Sequence, residues 1–376
     1  MIKNKFKVLT ILGTRPEIIR LSRILPAFDK HFNHKIFHTR QNYDENLSNI
    51  FFNDLSLRRP DYYLQYTSTN NIRTISKILV ETDKILKEFK PDAIFVLGDT
   101  NSSLSSIVAK KKQIPIFHYE AGNRCFDERV PEEANRRIVD TISDINITYS
   151  KISRQHLIRE GLSSNRVINI GSPMFEVISY YKHKIKNSKI LKNLSLKKNK
   201  YFLISCHREE NVENKKNFRN LVKIIKYLND NFNYKIVVSV HPRIKDKINK
   251  INRKNLKNVL FSKPFSFSDY LNLQINSKIV LSDSGTINEE ASILDLKAIN
   301  IRSSHERPEA DEEAVTLLTG LDLERVVIAI NYLTENRIAK KNIVEDYNNK
   351  IVSIKLVKIL MSHIGFVNEN HYKKKM

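Results

Sequence analysis

Short apolar runs alternate with amphipathic stretches along the chain, and most of the apolar runs end in polar residues or glycine. In the first half we predict buried strands at FKVLTIL (6–12), KIFHT (35–39), DAIFVL (92–97), IPIF (114–117), INITY (145–149) and RVINIG (166–171). Stretches with helical spacing follow Gly13 and cover residues 132–142 and 153–161. Because strands alternate with helices, we predict a parallel sheet wrapped by helices, which is a doubly wound α/β domain.

The second half of the chain repeats this pattern. Four more strands are predicted at YFLISC (201–206), KIVVSV (235–240), KIVLS (278–282) and KAINI (297–301). The segment Gly171-Ser172-Pro173 interrupts the alternation and predicts a domain crossing, followed by a lysine-rich helix to about residue 200. A chain of 376 residues exceeds what one core usually supports. We therefore predict two Rossmann-like domains, 1–171 and 172–350, facing a cleft, and a segment 351–376 whose helix packs back on the first domain before a basic tail.

Composition limits the class of protein. Hydrophobic residues make up 41% of the chain, which is typical of a globular protein, and no run is apolar and uncharged for long enough to span a bilayer. The start of the chain is interpreted as a first strand and not as a signal peptide. Cys125 and Cys206 lack metal-type spacing, so neither a zinc site nor a disulfide framework is expected. We predict a cytoplasmic protein without a bound metal.

The chain is strongly basic, with a formal net charge of +23. A basic balance can indicate a nucleic-acid or membrane partner. Here the lysines crowd into residues 180–200, 244–258 and the last few residues, where they are interleaved with Asn and Ile. This pattern favours a solvated surface and the compositional bias of an AT-rich genome. We expect neither nucleic acid nor membrane as a partner.

Candidate chemistry in the first domain is concentrated between His118 and Arg137. Glu120 follows the strand that we predict to end at His118, and ligands bind at the carboxyl ends of strands in such sheets. Glu132 lies where a helix begins, so the two carboxylates could face one cavity. Asp99 follows another strand. Each acid could also be a helix cap or a partner of the helix dipole.

A glycine turn after the first strand brings Arg15 to a helix N-terminus, which is an arrangement suited to an anion. An ordinary turn with a surface arginine would have the same sequence. The pattern is not GxGxxG, so a dinucleotide-binding fingerprint is absent.

The predicted strands of the second domain all end in polar residues. The segments that follow them begin at His207, His241, Asp283 and Arg302. Ser284 and Gly285 could donate to a phosphate at a helix N-terminus, and Glu290 could accept from a ribose diol. Arg307 could hold a diphosphate in a bidentate manner. Together with the acids of the first domain, these residues indicate an enzyme that acts on a nucleotide sugar.

The chain closely resembles the non-hydrolysing UDP-N-acetylglucosamine 2-epimerase family over nearly its whole length. The resemblance is carried by GTRPE (13–17), GDT (98–100), HYEAG (118–122), PEEANRR (131–137), CHREEN (206–211), HPR (241–243), DSGTINEEA (283–291) and ERPEA (306–310). It implies two Rossmann-like domains in a glycosyltransferase-B-like arrangement, a UDP-N-acetylated amino sugar in the cleft, no metal, no cofactor and a homodimer.

The resemblance also implies a mechanism and a set of site residues. Members of this family eliminate UDP across C1 and C2 of the sugar and add it back with the C2 hydrogen on the opposite face. By resemblance, the catalytic residues are Asp99, Glu120, Glu132 and His207. The expected contacts to UDP and sugar are Arg15, Arg136, His241, Ser284, Gly285, Glu290 and Arg307.

Departures from the family pattern narrow the choice of substrate. The chain has Thr39-Arg40-Gln41-Asn42-Tyr43-Asp44 where a TGQH-type segment is usual, and DSGT where DSGG is usual. With GDTNS, EAGNRCFD and GSPMFEV, these departures resemble the branch that makes UDP-N-acetyl-L-fucosamine for capsule or O-antigen. The changed QN segment puts in doubt the regulatory second sugar site of the glucosamine enzymes. A UDP-N-acetylglucosamine 2-epimerase, a hydrolysing relative and a glycosyltransferase of the same architecture remain open alternatives.

Overall fold

The computed structural model describes residues 5–41, 51–65, 70–208, 211, 214–240, 247–248, 255–335 and 343–374. The chain forms two compact units, one made of Met1–Ser179 with Asp346–Met376 and the other of Tyr180–Glu345. Each unit contains one sheet, and the described strand pairings in both sheets are parallel. The predicted fold class of two doubly wound α/β domains is therefore confirmed.

The sheet of the first unit has seven strands in the order β3-β2-β1-β4-β5-β6-β7. They are β1 (Lys7–Leu12), β2 (Asn33–His38), β3 (Tyr62–Tyr63), β4 (Ala93–Leu97), β5 (Ile116–Ala121), β6 (Ile145–Thr148) and β7 (Val167–Asn169). The central strands β4, β5 and β6 are buried along their whole length, as expected for a sheet covered on both faces. Strands β2 and β3 lie on one side of β1, and strands β4 to β7 lie on the other. The direction in which strands are added therefore reverses between β1 and β4, and these two strands flank the switch point.

Helices connect these strands. They are α1 (Arg15–Leu21), α2 (Ile24–His31), α3 (Asn71–Phe89), α4 (Ser106–Lys111), α5 (Pro131–Ile142), α6 (Lys151–Arg159) and α7 (Met174–Lys186). Side-chain caps begin several of them: the Asn70 side chain accepts from the N–H of Arg73, and that of Ser150 from the N–H of Ser153. The stretch after Gly13 folds as α1 and α2 and not as one continuous helix, since Ser22 and Arg23 form a turn that interrupts the helix.

The sheet of the second unit has six strands in the order β10-β9-β8-β11-β12-β13. They are β8 (Tyr201–Cys206), β9 (Lys235–Val240), β10 (Val259–Ser262), β11 (Ile279–Ser282), β12 (Ala298–Asn300) and β13 (Leu317–Leu318). The sequence predicted four of these strands and missed β10 and β13, which lie at the two edges. Edge strands are short or half-buried and so lack the apolar run that identifies a central strand.

The helices of the second unit, apart from the end of α7, are α8 (Ile190–Asn193), α9 (Lys215–Asn231), α10 (Phe267–Asn276), α11 (Ile287–Leu294), α12 (Pro308–Glu312) and α13 (Leu323–Glu335). The lysine-rich stretch that was predicted as one helix to about residue 200 instead forms α7, which ends at Lys186, and the short α8.

The last helix, α14 (Val352–Asn370), belongs to the first unit and packs against α2. The units divide after Ser179 and after Glu345, whereas the predicted boundaries fall after residues 171 and 350. In the described part of the chain, no helix is both long enough and apolar enough to cross a bilayer.

Candidate active site

Arg136 joins two of the predicted catalytic segments. Its guanidinium group is buried, and it donates from Nη1 to the backbone carbonyl of Glu120 and from Nη2 to the carboxylate of Asp99. Asn135 supports the same corner, because its side-chain amide donates to the Asp99 carbonyl at 3.0 Å. Helix α5 thereby holds the carboxyl ends of β4 and β5 together.

Glu120 lies in a strained and buried position. The strand that we predicted to end at His118 continues to Ala121, and its pairing with β6 is irregular at Glu120, whose φ is +69°. Glu120 is 2% exposed, and its Oε2 accepts a hydrogen bond from Arg20 Nη1 at 2.7 Å. A non-glycine residue with positive φ is uncommon and often marks a functional position.

Gly98 lies directly against this carboxylate. A Cβ atom added at Gly98 would lie 3.1 Å from Glu120 Oε2, and Gly98 itself has a φ of +69°. Both the conformation and the space therefore require glycine before Asp99.

Arg20 was not among the predicted site residues. It forms an ion pair with Glu120 over a separation of 100 residues, which local pattern analysis cannot detect. The available signal was an arginine in the otherwise apolar stretch Ile18–Leu21, since buried arginines are almost always paired.

Glu17 was also missed, although it lies within GTRPE. The carboxylate is buried and accepts from Gly13 N at 3.0 Å, Thr14 N at 2.7 Å, Thr14 Oγ1 at 2.7 Å and Thr100 Oγ1 at 3.1 Å. Burial raises the pKa of Glu17 to about 7, and these hydrogen bonds counteract the rise only in part. The spacing Thr14-x-x-Glu17 is that of a capping box and was the available signal. Glu17 thus ties the first glycine turn to the segment after Asp99.

The two glutamates that open α5 have different environments. Glu132 is half-buried, lies one helical turn before Arg136, and makes no hydrogen bond or ion pair with the described residues. Glu133 is 2% exposed and accepts from Cys125 N at 3.1 Å and from Arg137 Nη2 at 3.0 Å. Glu133 therefore holds the preceding loop, whereas the Glu132 carboxylate has no such structural role among the described residues.

A buried charge network supports the turn after β5. Asp140 is 3.0 Å from His118 Nδ1 and 2.7 Å from Arg124 Nη1, and it accepts from the N–H of Gly122. Burial alone would raise the pKa of Asp140, but His118 and the neighbouring arginines outweigh burial and lower the pKa. The turn that follows Glu120 is therefore held by the buried Asp140 carboxylate and its partners His118 and Arg124.

Arg15 is the first residue of α1 and is half-buried. Its guanidinium carbon lies 5.4 Å from the centre of the Phe51 ring, which is a cation–π distance. The arginine at the glycine turn is thus oriented by an aromatic side chain.

In the second unit, Asp283 organises the loop that carries His207. Asp283 is fully buried and accepts from the backbone N–H groups of His207 and Arg208, each at 3.0 Å, and from the side chain of Asn211 at 3.1 Å. His207 Nδ1 lies 3.3 Å from the same carboxylate. Burial would raise the pKa of Asp283, but the His207 charge and these donors lower it. The motif DSGTINEEA indicated this segment as part of the site, but the pattern did not reveal this role of Asp283.

Ser284 and Gly285 precede α11 by one turn, because the helix begins at Ile287 after Thr286. The Ser284 hydroxyl lies 3.0 Å from that of Thr286, and both Ser284 and Gly285 are half-buried. The helix therefore does not open directly at Asp283-Ser284-Gly285 as predicted.

Glu290 lies in the first turn of α11. It is 4% exposed, and it accepts from Gln274 Nε2 and from Thr286 Oγ1, each at 2.7 Å. A ribose diol would have to share this carboxylate with those donors.

Arg307 immediately precedes α12 and is 3% exposed. Its Nη2 lies 3.5 Å from the buried carboxylate of Glu289.

His241 and Asn42 lie outside the described residues. Within the described ranges, no group of three or more His, Cys, Asp or Glu side chains could hold a metal ion.

The first unit therefore presents acids at the ends of β4 and β5 and at the start of α5, and the second presents donors at strand ends. A sequence model of the family described as UDP-N-acetylglucosamine 2-epimerase matches residues 27–361. The solved structure of UDP-N-acetylglucosamine 2-epimerase from Rickettsia bellii is 44% identical and superposes with a TM-score of 0.93, covering 99% of this chain and 100% of that one.

Two curated relatives extend the comparison. The UDP-N-acetylglucosamine 2-epimerase of Methanocaldococcus jannaschii is 35% identical over 363 residues, which are 94% of this chain and 98% of that protein. Its structure in complex with UDP-GlcNAc and UDP superposes with a TM-score of 0.86 at 34% identity, over 94% of this chain and 99% of that one. The UDP-2,3-diacetamido-2,3-dideoxy-D-glucuronate 2-epimerase of Pseudomonas aeruginosa is 28% identical over 85% of this chain and 90% of that protein. This chain belongs to the UDP-N-acetylglucosamine 2-epimerase family and is an isomerase of the UDP-sugar 2-epimerase type.

Proposed function

We propose that the protein inverts C2 of a UDP-N-acetylated amino sugar by eliminating and re-adding UDP. A base removes the C2 proton, the electron pair forms the C1–C2 double bond, and UDP leaves C1 with the electrons of the C1–O bond. In the return step, an acid protonates C2 on the opposite face and UDP re-forms the bond at C1. The observation that carries this proposal is the link that Arg136 makes between Asp99 and the Glu120 backbone.

The reaction needs acid/base groups on both faces of the sugar, because the proton leaves one face and arrives on the other. We assign these roles to Asp99, Glu120 and Glu132. Asp99 has a side chain that is 17% exposed, and Glu132 is half-buried, so both can meet a substrate. Glu120 is almost wholly buried, which favours a dry environment for proton transfer. His207 assists beside the diphosphate or the sugar.

We assign the UDP contacts to residues of both units. They are Arg15, Arg136, His241, Ser284, Gly285, Glu290 and Arg307. The hydroxyl and backbone donors that precede α11 suit a phosphate, and the two arginines Arg15 and Arg307 suit a diphosphate. We also propose that the two units face each other across the substrate, and that the protein acts as a homodimer in the cytoplasm.

Hydrogen exchange in D2O tests the mechanism. The wild-type protein should incorporate deuterium at C2 of the nucleotide sugar and release UDP transiently, without any acceptor. D99N, E120Q and E132Q should each lose at least a hundredfold in both rates. Glu128 is an exposed acid in the same region, so E128Q is the matched control and should keep wild-type rates. Full turnover in all three variants would refute the assignment, and conversion only in the presence of an acceptor would indicate a glycosyltransferase.

For the substrate, we propose UDP-2-acetamido-2,6-dideoxy-L-talose, with UDP-N-acetyl-L-fucosamine as the product for capsule or O-antigen synthesis. The support is the sequence around Gln41, the DSGT segment and the EAGNRCFD segment. The second candidate is UDP-N-acetylglucosamine, which gives UDP-N-acetylmannosamine. It is favoured by the similarity of this chain to the UDP-N-acetylglucosamine 2-epimerases of Rickettsia bellii and Methanocaldococcus jannaschii.

Proton NMR separates the two candidates. The protein is incubated with each nucleotide sugar in a separate tube, and the anomeric signal is followed. The substrate is the sugar whose anomeric signal becomes two, because the C2 epimer has a different coupling to H1. Appearance of free sugar and UDP in place of an epimer would instead indicate hydrolysis.

A further inference from the structure

The second unit contains a cavity of about 320 Å³ that none of the residues assigned to UDP lines. Its walls come from the first turns of α9, from the loop after β12, and from residues 318–322 between β13 and α13. A volume of this size is at the lower end of the range for small-molecule sites. The cavity is therefore large enough for a small metabolite.

The walls of this cavity are basic. Lys216, Arg302 and Arg325 line it, whereas Asp322 is the one carboxylate among the lining residues. Asn217 and Thr319 add uncharged polar groups to the lining. A group with two negative charges would balance the excess charge.

Arg302 gives an independent indication of a ligand. The residue is 2% exposed and lines the cavity, and its Nη2 donates to Glu306 Oε1 at 3.2 Å. Its Nε–H, in contrast, has no acceptor among the described residues. A buried donor without an acceptor destabilises the folded protein by about 1–3 kcal/mol, so a ligand oxygen that accepts from Nε–H would recover this free energy.

Two helices begin at the cavity. Lys216 and Asn217 lie in the first turn of α9, and Asp322 immediately precedes α13, which packs against α9. The N-terminus of a helix carries partial positive charge, and backbone N–H groups there favour anions. Asn214 caps the N–H groups of Lys216 and Asn217, and Asp322 caps that of Arg325, so the helix ends add positive dipole charge but these three N–H groups already have acceptors.

We propose that this cavity binds a phosphate dianion, either as inorganic phosphate or as the terminal group of a small phosphate monoester. A phosphate carries close to two negative charges at neutral pH and presents three acceptor oxygens. One oxygen would accept from Arg302, and Lys216 and Arg325 would supply the remaining charge. The lining shares no residue with the set that we assign to UDP, and the existence of the phosphate site does not depend on which sugar the protein epimerises.

Calorimetric titration tests the proposal. The protein is first saturated with UDP, so that the nucleotide site is occupied, and is then titrated with inorganic phosphate or with glycerol 3-phosphate at constant ionic strength. We expect saturable binding of at least one of them, and the tighter one identifies the source of the phosphate. Absence of binding of both probes to the UDP-saturated protein would overturn the proposal.

Variants locate the site. Lys216 and Arg325 are exposed side chains, so the double variant K216Q/R325Q should fold and should weaken phosphate binding at least tenfold. Lys226 is an exposed lysine of the same helix that does not line the cavity, so K226Q should bind as the wild type does. Equal affinity of K216Q/R325Q and the wild type would refute the location.

The variant R302K examines the buried donor directly. Lysine keeps the positive charge but removes the Nε–H, so we expect weaker phosphate binding with an unchanged circular dichroism spectrum. Wild-type affinity in folded R302K would contradict the role of Arg302. Should R302K fail to fold, the exposed double variant still decides the question.

Discussion

The carboxylates of the first unit differ in the groups that donate hydrogen bonds to them, and this difference separates structural acids from candidate catalysts. Glu17 accepts from four donors, and Glu133 accepts from the backbone N–H of Cys125 in the preceding loop and from the side chain of Arg137 in the same helix. Glu120 is paired with Arg20, and Glu132 faces outward from the first turn of α5. The acids with saturated local partners hold the site, and those beside Arg136 perform the proposed chemistry.

Glu17 should make stability depend on pH. Its pKa of about 7 in the folded chain lies above the ordinary 4.5, so between these values the folded chain keeps a proton that the unfolded chain releases. This group therefore favours folding at low pH and lowers stability as pH rises to about 7, by roughly 3 kcal/mol. E17Q should lack this decline. Urea unfolding of both proteins across that window measures it, and parallel curves would contradict the prediction.

The buried pair of Arg20 and Glu120 should show strong coupling. Removing one partner leaves a buried charge, so R20M should lower the free energy of unfolding by about 3 kcal/mol or more. E120Q removes the charge of the other partner, and the double variant R20M/E120Q should recover part of the loss. A double-mutant cycle from urea unfolding gives the coupling energy. Strict additivity would show that the pair contributes nothing of its own.

At the scale of elements, the turn after β4 positions the acids. Gly98 has positive φ and lies against Glu120, while Gly161 has positive φ with no atom within 4 Å of an added Cβ. G98A and G161A should each lose about 1 kcal/mol of stability, because alanine strains this backbone. Only G98A should also lose epimerase activity, since its methyl group displaces the Glu120 carboxylate. Equal activity of the two variants would argue against this role of Gly98.

The sequence predicted elements well where both faces of a strand are buried. Strand β8 was predicted with the observed bounds, because Tyr201–Cys206 is apolar except at Ser205. Strand β5 was predicted too short, since Tyr119-Glu120 looks like the end of an apolar run although both residues are buried. Site acids could be named because they follow such runs. The pairing of Arg20 with Glu120 and of Asp283 with the His207 loop could not be assigned, because contacts over 100 and 76 residues of sequence create them.

At the scale of the whole molecule, the net charge of +23 should oppose folding through self-repulsion. Salt screens this repulsion over distances of about 10 Å. We expect the melting temperature to rise by roughly 2 °C when ionic strength increases from low to physiological values, equivalent to about 1 kcal/mol. Differential scanning calorimetry checks this. A fall in the melting temperature would mean that surface ion pairs outweigh the repulsion.

The first unit draws on both ends of the chain. Helix α14 packs on α2, and beyond it the Tyr372 hydroxyl donates to the buried carboxylate of Asp144 at 2.8 Å. Residues Tyr180–Glu345 precede this closing segment in the chain, so the second unit leaves the ribosome before the first unit receives its last helix. The first unit can therefore complete its fold only after the whole second unit has been synthesised, and a chain that ended at residue 345 would contain every residue of the second unit but would lack the closing helix of the acid-bearing unit.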